Sequence, residues 1–171
     1  MANKFTMTHE FDCTVETFWS KVMFDKEMNE GLFKQALAFP EFNVLELRET
    51  DSEVFRRTIS TPKMDVPGPV AKALGSSFKF TDELRYDKKA RKATFKGIPS
   101  TMAEKLLTSG TIQCTDLPNG RCRRVIEVTV EAKIFAIGGL FESTAEANMR
   151  KAYDTGAVYM NKWIAQKGLK A

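Results

Sequence analysis

The stretch that decides the fold of this chain is CRRVIEVTVEAKIFAIGGLFESTAEANMRKAYDTGAVYMNKW, residues 122–163. In its first part every second residue is apolar, and this period of two is typical of a strand with one buried face. The inward residues of this predicted strand are Ile126, Val128, Val130, Ala132 and Ile134. The stretch therefore opens with the last strand of a sheet.

After Gly138-Gly139 the apolar residues recur every 3.6 positions, which predicts one long amphipathic helix ending near Gly168. Its apolar stripe consists of Phe141, Ala145, Met149, Ala152, Gly156, Tyr159 and Trp163. We expect the two glycines to adopt positive φ and to turn the chain sharply from strand into helix. A phosphate-binding role for them is disfavoured, because no Lys-Ser or Lys-Thr follows and their neighbours are apolar.

Upstream of this stretch the period of two predicts most of the sheet. The strands are predicted at Phe42–Thr50, Glu53–Thr61, Phe78–Tyr86, Lys92–Ile98, Leu107–Thr115 and Cys122–Lys133. An alternating segment up to Phe11 adds a first strand, and two short helices follow it. Asp12 or Thr14 would cap the first of these helices, and Pro40 would close the second.

The sequence therefore predicts an α+β protein, a single domain over residues 1–171. A curved antiparallel sheet of about seven strands would wrap around the long C-terminal helix. Because Ala145, Ala152 and Gly156 are small, the helix would leave part of the hollow empty, and a dry cavity favours an apolar guest. The alternative is that the phenylalanines, 13 in all, fill the interior.

Composition excludes several classes of protein. With 43% hydrophobic and 28% charged residues the chain is not intrinsically disordered. Three scattered cysteines, one histidine and the lack of a signal peptide argue against a disulfide framework and against zinc, and favour the cytoplasm. Net charge is only +4, and the basic hairpin residues lack the interleaved aromatics of a nucleic-acid site. Those residues are Lys88, Lys89, Arg91, Lys92, Arg121, Arg123 and Arg124.

Two motifs carry a resemblance to a known family. The junction Glu131–Glu142 and the stretch Val66-Pro67-Gly68-Pro69, followed by residues 71–80, resemble an uncharacterised bacterial branch of the START-like (helix-grip) superfamily. That superfamily includes lipid-transfer START domains, the birch-pollen allergen family, polyketide aromatase/cyclases and coenzyme Q-binding proteins. The resemblance covers essentially the whole chain and implies the helix-grip fold with an internal ligand cavity.

The predicted inward faces supply the candidate ligand-binding residues. They are Phe55, Arg57, Phe80, Asp82, Leu84, Phe95, Ile112, Val128, Val130, Met149, Ala152 and Gly156. Three loops that share one end of the meander carry unusually apolar residues, which we interpret as a gate. The candidate gate residues are Val66, Val70, Leu74, Met102, Ile137 and Phe141. The alternative is that this loop cluster packs on itself as a plug.

Three polar residues also fall on inward faces by strand parity, namely His9, Arg57 and Asp82. Because an unpaired buried charge is costly, Arg57 and Asp82 on neighbouring strands would pair. The pair would either anchor the polar head of a ligand, or the two side chains would only pair with each other without a ligand. His9 would be a general base or a hydrogen-bonded core residue.

The leading functional hypothesis is a non-enzymatic carrier or sensor of a hydrophobic small molecule, most simply a lipid. We expect a monomer without metal or cofactor that does not bind nucleic acid; transient membrane contact is compatible with this function. One alternative is a cyclase, aromatase or hydrolase in the same cavity, with His9 and Asp82 as its acid–base pair. Another is a protein-interaction module, such as a chaperone co-regulator, that uses the apolar loops.

Overall fold

A computed structural model describes residues 2–171, which form a seven-stranded antiparallel sheet and four helices. The strands are β1 (Asn3–Phe11), β2 (Glu41–Glu49), β3 (Glu53–Thr61), β4 (Phe80–Asp87), β5 (Lys92–Pro99), β6 (Leu106–Leu117) and β7 (Arg121–Ala132). The helices are α1 (Val15–Thr17), α2 (Lys26–Glu30), α3 (Gly68–Leu74) and α4 (Gly138–Gln166). Helices α1 and α2 continue as π-helical turns at Phe18–Val22 and Gly31–Ala36.

The strands lie in the order β1-β7-β6-β5-β4-β3-β2, so the first strand pairs with the last and the others form a meander. Helix α4 packs against β1 and β7 and crosses the hollow of the sheet. This architecture confirms the predicted α+β fold with a curved sheet around a long C-terminal helix. No helix within residues 2–171 is both long and apolar enough to cross a bilayer.

Local sequence signals explain where the helices begin and end. The Thr14 hydroxyl accepts the Thr17 N–H at 3.2 Å and caps α1, and the Asp25 carboxylate accepts the Met28 N–H at 2.9 Å and caps α2. Helix α4 stops before Gly168, whose φ of +68° suits glycine.

The junction between β7 and α4 is built differently from the prediction. Positive φ occurs at Ala136 (68°) and at neither Gly138 nor Gly139. Gly138 is required because a Cβ there would lie 2.5 Å from the Ala132 carbonyl oxygen, whereas a Cβ on Gly139 would have no described atom within 4 Å. The buried Glu142 carboxylate accepts the Ala132 N–H at 2.9 Å and so ties the start of the helix to the end of the strand.

Helix α3 lies in a segment for which the sequence predicts a loop. It starts just after Pro67 and ends before Gly75, whose φ is +82°. The spacing of Val66, Val70 and Leu74 at every fourth position was the available helical signal. Val70 is buried, so this short helix covers one end of the sheet.

Candidate functional site

A cavity of about 320 Å³ lies between the concave face of the sheet and helix α4. Its volume falls in the range that small-molecule ligands occupy in proteins. The turn after α2 contributes Leu32 and Phe33, while β4 and β5 contribute Phe80 and Phe95. The wall is predominantly apolar. Because this space exists, the phenylalanine rings do not completely fill the interior.

Nine of the predicted cavity residues line this space. They are Phe80, Asp82, Leu84, Phe95, Ile112, Val130, Met149, Ala152 and Gly156. The small residues of α4 bound the cavity without filling it, and a Cβ on Gly156 would lie 3.4 Å from a Leu32 methyl carbon. Val128 is buried in the main apolar core, but it does not line the cavity.

The predicted orientation of β3 is wrong by one residue. Residues Arg56, Thr58 and Ser60 line the cavity, so Phe55 and Arg57 lie on the convex face instead. There Arg57 forms ion pairs of 2.8 Å with both Glu46 and Glu83 rather than with Asp82.

Phe55 is nevertheless only 3% exposed, because arginines cover its ring on the convex face. The guanidinium carbons of Arg48, Arg57 and Arg85 lie 4.8, 5.2 and 4.4 Å from the ring centroid. Arg48 and Arg85 belong to the two strands that flank Phe55, directly opposite it in register. Cation–π contacts therefore bury this phenylalanine outside the core.

The candidate gate residues gather at one end of the sheet. Val66, Val70, Leu74 and Phe141 line the cavity. Met102 and Ile137 do not line it; they pack in the same apolar cluster as Val70 and Phe141. The three loops after β3, β5 and β7 thus meet there, as the meander requires.

Two charged side chains from neighbouring strands, Arg56 of β3 and Asp82 of β4, line the cavity. Asp82 lines the cavity, and burial raises the pKa of its carboxyl to about 6, although the attraction of Arg56 opposes this. Arg56 is only 6% exposed and donates to the Met23 carbonyl at 3.3 Å and to the Asn29 side-chain oxygen at 3.1 Å. Strand parity predicts the neighbouring arginine, Arg57, in this place.

His9 points inward but does not form the predicted acid–base pair with Asp82. Its Nε2 lies 2.7 Å from Asp154 Oδ1, and its Nδ1 lies 3.1 Å from a guanidinium nitrogen of Arg124. Because a guanidinium can only donate, Nδ1 is the acceptor and Nε2 carries the proton. Burial lowers the pKa of His9, and hydrogen bonding to Asp154 partly offsets this.

Arg124 lines the cavity, whereas its sequence context predicts a residue of the exposed basic hairpins. It is 3% exposed, and its guanidinium carbon lies 4.8 Å from the Phe11 ring centroid and 5.3 Å from that of Tyr153. The signal for its orientation was present, because Arg124 has the same strand parity as Ile126. The run of arginines around it obscured that signal.

Tyr153 of α4 also belongs to the polar part of the cavity wall. Burial raises the pKa of its phenol to about 12, so the hydroxyl remains protonated at neutral pH. The cavity thus combines a largely apolar wall with polar groups that include Arg56, Asp82, Arg124 and Tyr153. This arrangement can enclose a molecule with a long or bulky apolar part and one polar group.

Comparison with known proteins identifies a matching family but no curated relative. A family model described as "Protein of unknown function (DUF2505)" matches residues 6–164. None of the curated proteins matches the chain significantly in sequence.

Solved structures share the fold at low sequence identity. The Zhui aromatase/cyclase from Streptomyces sp. R1128 is 12% identical with a TM-score of 0.65, over 98% of this chain and 96% of that one. Norcoclaurine synthase from Thalictrum flavum is 10% identical with a TM-score of 0.62, over 96% and 87%. A START superfamily protein from Mycobacterium smegmatis is 13% identical with a TM-score of 0.52, over 95% and 97%. These similarities confirm the START-like fold recognised in the sequence.

Proposed function

We propose that this chain, which belongs to the DUF2505 family, binds a hydrophobic small molecule, and more narrowly a lipid, between the sheet and helix α4. The observation that carries the proposal is the cavity of about 320 Å³ with its largely apolar wall. Proteins with the START-like fold commonly bind hydrophobic ligands, and this chain has the space to do so. An apolar guest is favoured because an apolar cavity gives water few hydrogen-bonding partners.

The energetics of such a site suit a carrier or a sensor. Each methylene group that leaves water for an apolar site contributes about 0.8 kcal/mol, and leaving a bilayer interior contributes almost nothing. A lipid therefore exchanges between cavity and membrane near balance, while its escape into water is suppressed. The proposed gate, from Val66 to Leu74 and around Phe141, would control the rate of exchange.

Transient membrane contact at the gated end belongs to this proposal. Phe135, between β7 and α4, is 98% exposed, and the nearby Leu140 is 37% exposed. The exposed Lys105 and Lys133 lie beside each other there, since the Lys133 N–H donates to the Lys105 carbonyl at 2.8 Å. Aromatic and basic side chains are the residue types that favour the surface of an anionic membrane.

We further propose a monomer that acts in the cytoplasm. The three cysteines, Cys13, Cys114 and Cys122, are buried and free in the structure. Free thiols are typical of a reducing compartment.

A cavity-filling substitution tests the proposal against a matched control. Ala152 lines the cavity, whereas Ala147 lies on the exposed side of the same helix. Organic-solvent extraction and mass spectrometry should recover a co-purified lipid from the wild type and from Ala147→Phe. The yield from Ala152→Phe should fall at least about fivefold, because a phenylalanine ring occupies part of the space. Equal yields from all three proteins, or no bound molecule in any, would contradict the proposal.

An enzymatic function in the same cavity is the second candidate. The observation that favours it is the Asp82 carboxyl, whose pKa of about 6 allows proton transfer near neutral pH. If the cavity is catalytic, Asp82→Asn should retain a bound molecule whose mass differs from that of the molecule extracted from the wild type. Identical molecules in both proteins favour the carrier. The third hypothesis, an interaction module, predicts a filled interior, whereas the structure contains a cavity.

A further inference from the structure

Arg124 is a buried cation in the cavity wall whose partners include no carboxylate among the described residues. One of its terminal nitrogens donates to His9 Nδ1 at 3.1 Å, and the other contacts the Met160 sulfur at 3.9 Å. Its Nε is buried without a hydrogen-bond partner. A guanidinium has five N–H donors, so three remain after these two contacts.

A buried charge without an opposite charge is strongly unfavourable unless something supplies that charge. The other buried guanidinium, Arg56, differs because the charge of Asp82 acts on it and two oxygen atoms accept its hydrogen bonds. Of the four charged residues that line the cavity, Lys63 is exposed. The other three, Arg56, Arg124 and the ionised Asp82, leave the inner part of the wall with one net positive charge at neutral pH. This inner part is thus complementary to a single negative charge.

We propose that Arg124 binds the carboxylate of an amphipathic monocarboxylic acid whose apolar part fills the cavity, an inference that rests on the proposed function. A guanidinium presents parallel N–H groups that match the two oxygen atoms of a carboxylate. Tyr153, whose ring lies 5.3 Å from the Arg124 guanidinium carbon, lines the same cavity. A single carboxylate balances the net charge of the inner groups Arg56, Asp82 and Arg124, whereas a phosphate monoester dianion would exceed it.

Titration calorimetry at pH 8 with matched acids and alcohols tests this inference. Decanoate and 1-decanol form an aliphatic pair, and 2-naphthoate and 2-naphthalenemethanol form an aromatic pair. The wild type should bind at least one acid about tenfold or more tightly than its alcohol, as expected for charge-assisted hydrogen bonds. The pair that binds more tightly identifies the apolar part as chain or ring.

Two variants on adjacent residues of β7 assign the preference to Arg124. In Arg124→Met the acid and alcohol should bind equally, and the apo protein should unfold at the same urea concentration or a higher one, since an unpaired buried charge is removed. The control is Arg123→Met, an exposed residue paired with Glu10, which should keep the wild-type preference. Should Arg124→Met not fold, Arg124→Gln replaces it, because the amide still donates to His9 but carries no charge.

The outcomes separate this inference from the function on which it rests. Equal binding of acid and alcohol by the wild type, or a preference that survives in Arg124→Met, overturns the role of Arg124 and leaves the hydrophobic cavity intact. Failure of all four compounds to bind overturns both.

Discussion

Replacing Asp82 by Asn should remove a pH dependence from the stability of this protein. Burial in the cavity wall raises the pKa of the Asp82 carboxyl from 3.8 to about 6; Arg56 lowers it and Glu83 raises it further. The folded state therefore binds this proton more tightly than the unfolded chain does. The resulting stabilisation is complete below about pH 4 and is lost as the pH rises through about 6.

The magnitude follows from the two pKa values, 3.8 and about 6, which differ by about 2. Each pKa unit corresponds to about 1.4 kcal/mol, so the ionised carboxyl makes the folded state about 3 kcal/mol less stable at pH 8. At pH 5 Asp82 is mostly protonated in the folded state, so the wild type regains about 1 kcal/mol of this lost stability. Because Asn resembles the neutral acid, the variant should be about 3 kcal/mol more stable at pH 8 and about 2 kcal/mol more stable at pH 5.

Urea unfolding at pH 5 and pH 8 measures both differences. The buried Trp19 and Trp163 provide the fluorescence signal, and Asp51→Asn at an exposed turn serves as the control. All other titrating groups cancel when variant and wild type are compared at the same pH. If Asp82→Asn and the wild type differ by the same free energy at both pH values, Asp82 has an ordinary pKa and the reasoning from burial is refuted.

Three further substitutions test other features. Gly138→Ala should lower the free energy of unfolding by about 2 kcal/mol, because its Cβ would lie 2.5 Å from the Ala132 oxygen, whereas Gly139→Ala in open space should raise it by about 0.5 kcal/mol. Changes of the same sign in urea unfolding would contradict this. Phe55→Ala on the convex face should cost about 3 kcal/mol in the same assay, and a loss below about 1 kcal/mol would show that the arginine cover contributes little. Phe135→Ser should weaken sedimentation with anionic vesicles several-fold and leave ligand retention unchanged; unchanged sedimentation would place membrane contact elsewhere.

The fold was predictable because periodicity is a property of the sequence itself. The period of two in β7 and the period of 3.6 in α4 depend only on which residues are apolar, and both persist over many positions. The end of the sheet at which the candidate gate residues meet followed from the alternation of loops in a meander. These features needed no knowledge of which side chains touch.

Individual site residues were harder to predict from the sequence, because their positions depend on contacts between distant segments. In β3 both faces carry apolar residues, so strand parity was ambiguous. Phe55 lies on the convex face, where arginines from the two neighbouring strands cover its ring. His9 meets Asp154, which lies 145 residues away in sequence. Arg124 followed the alternation of β7, yet a run of charges normally indicates a solvated turn. The burial of the Arg124 charge became evident only from the structure, in which this residue lines the cavity.

The pairing of β1 with β7 has a consequence for how this protein is made. Asn3 pairs with Val130 and Phe11 with Cys122, so the first strand has no partner until the last one leaves the ribosome. At the usual pace of synthesis the 127 residues that follow Asn3 up to Val130 take between about 6 and 25 s. During that time the nascent strand presents an unprotected edge and an apolar side. Cellular chaperones therefore have a defined window in which to shield it, and a circular permutant that joins the two strands directly should fold with much less help.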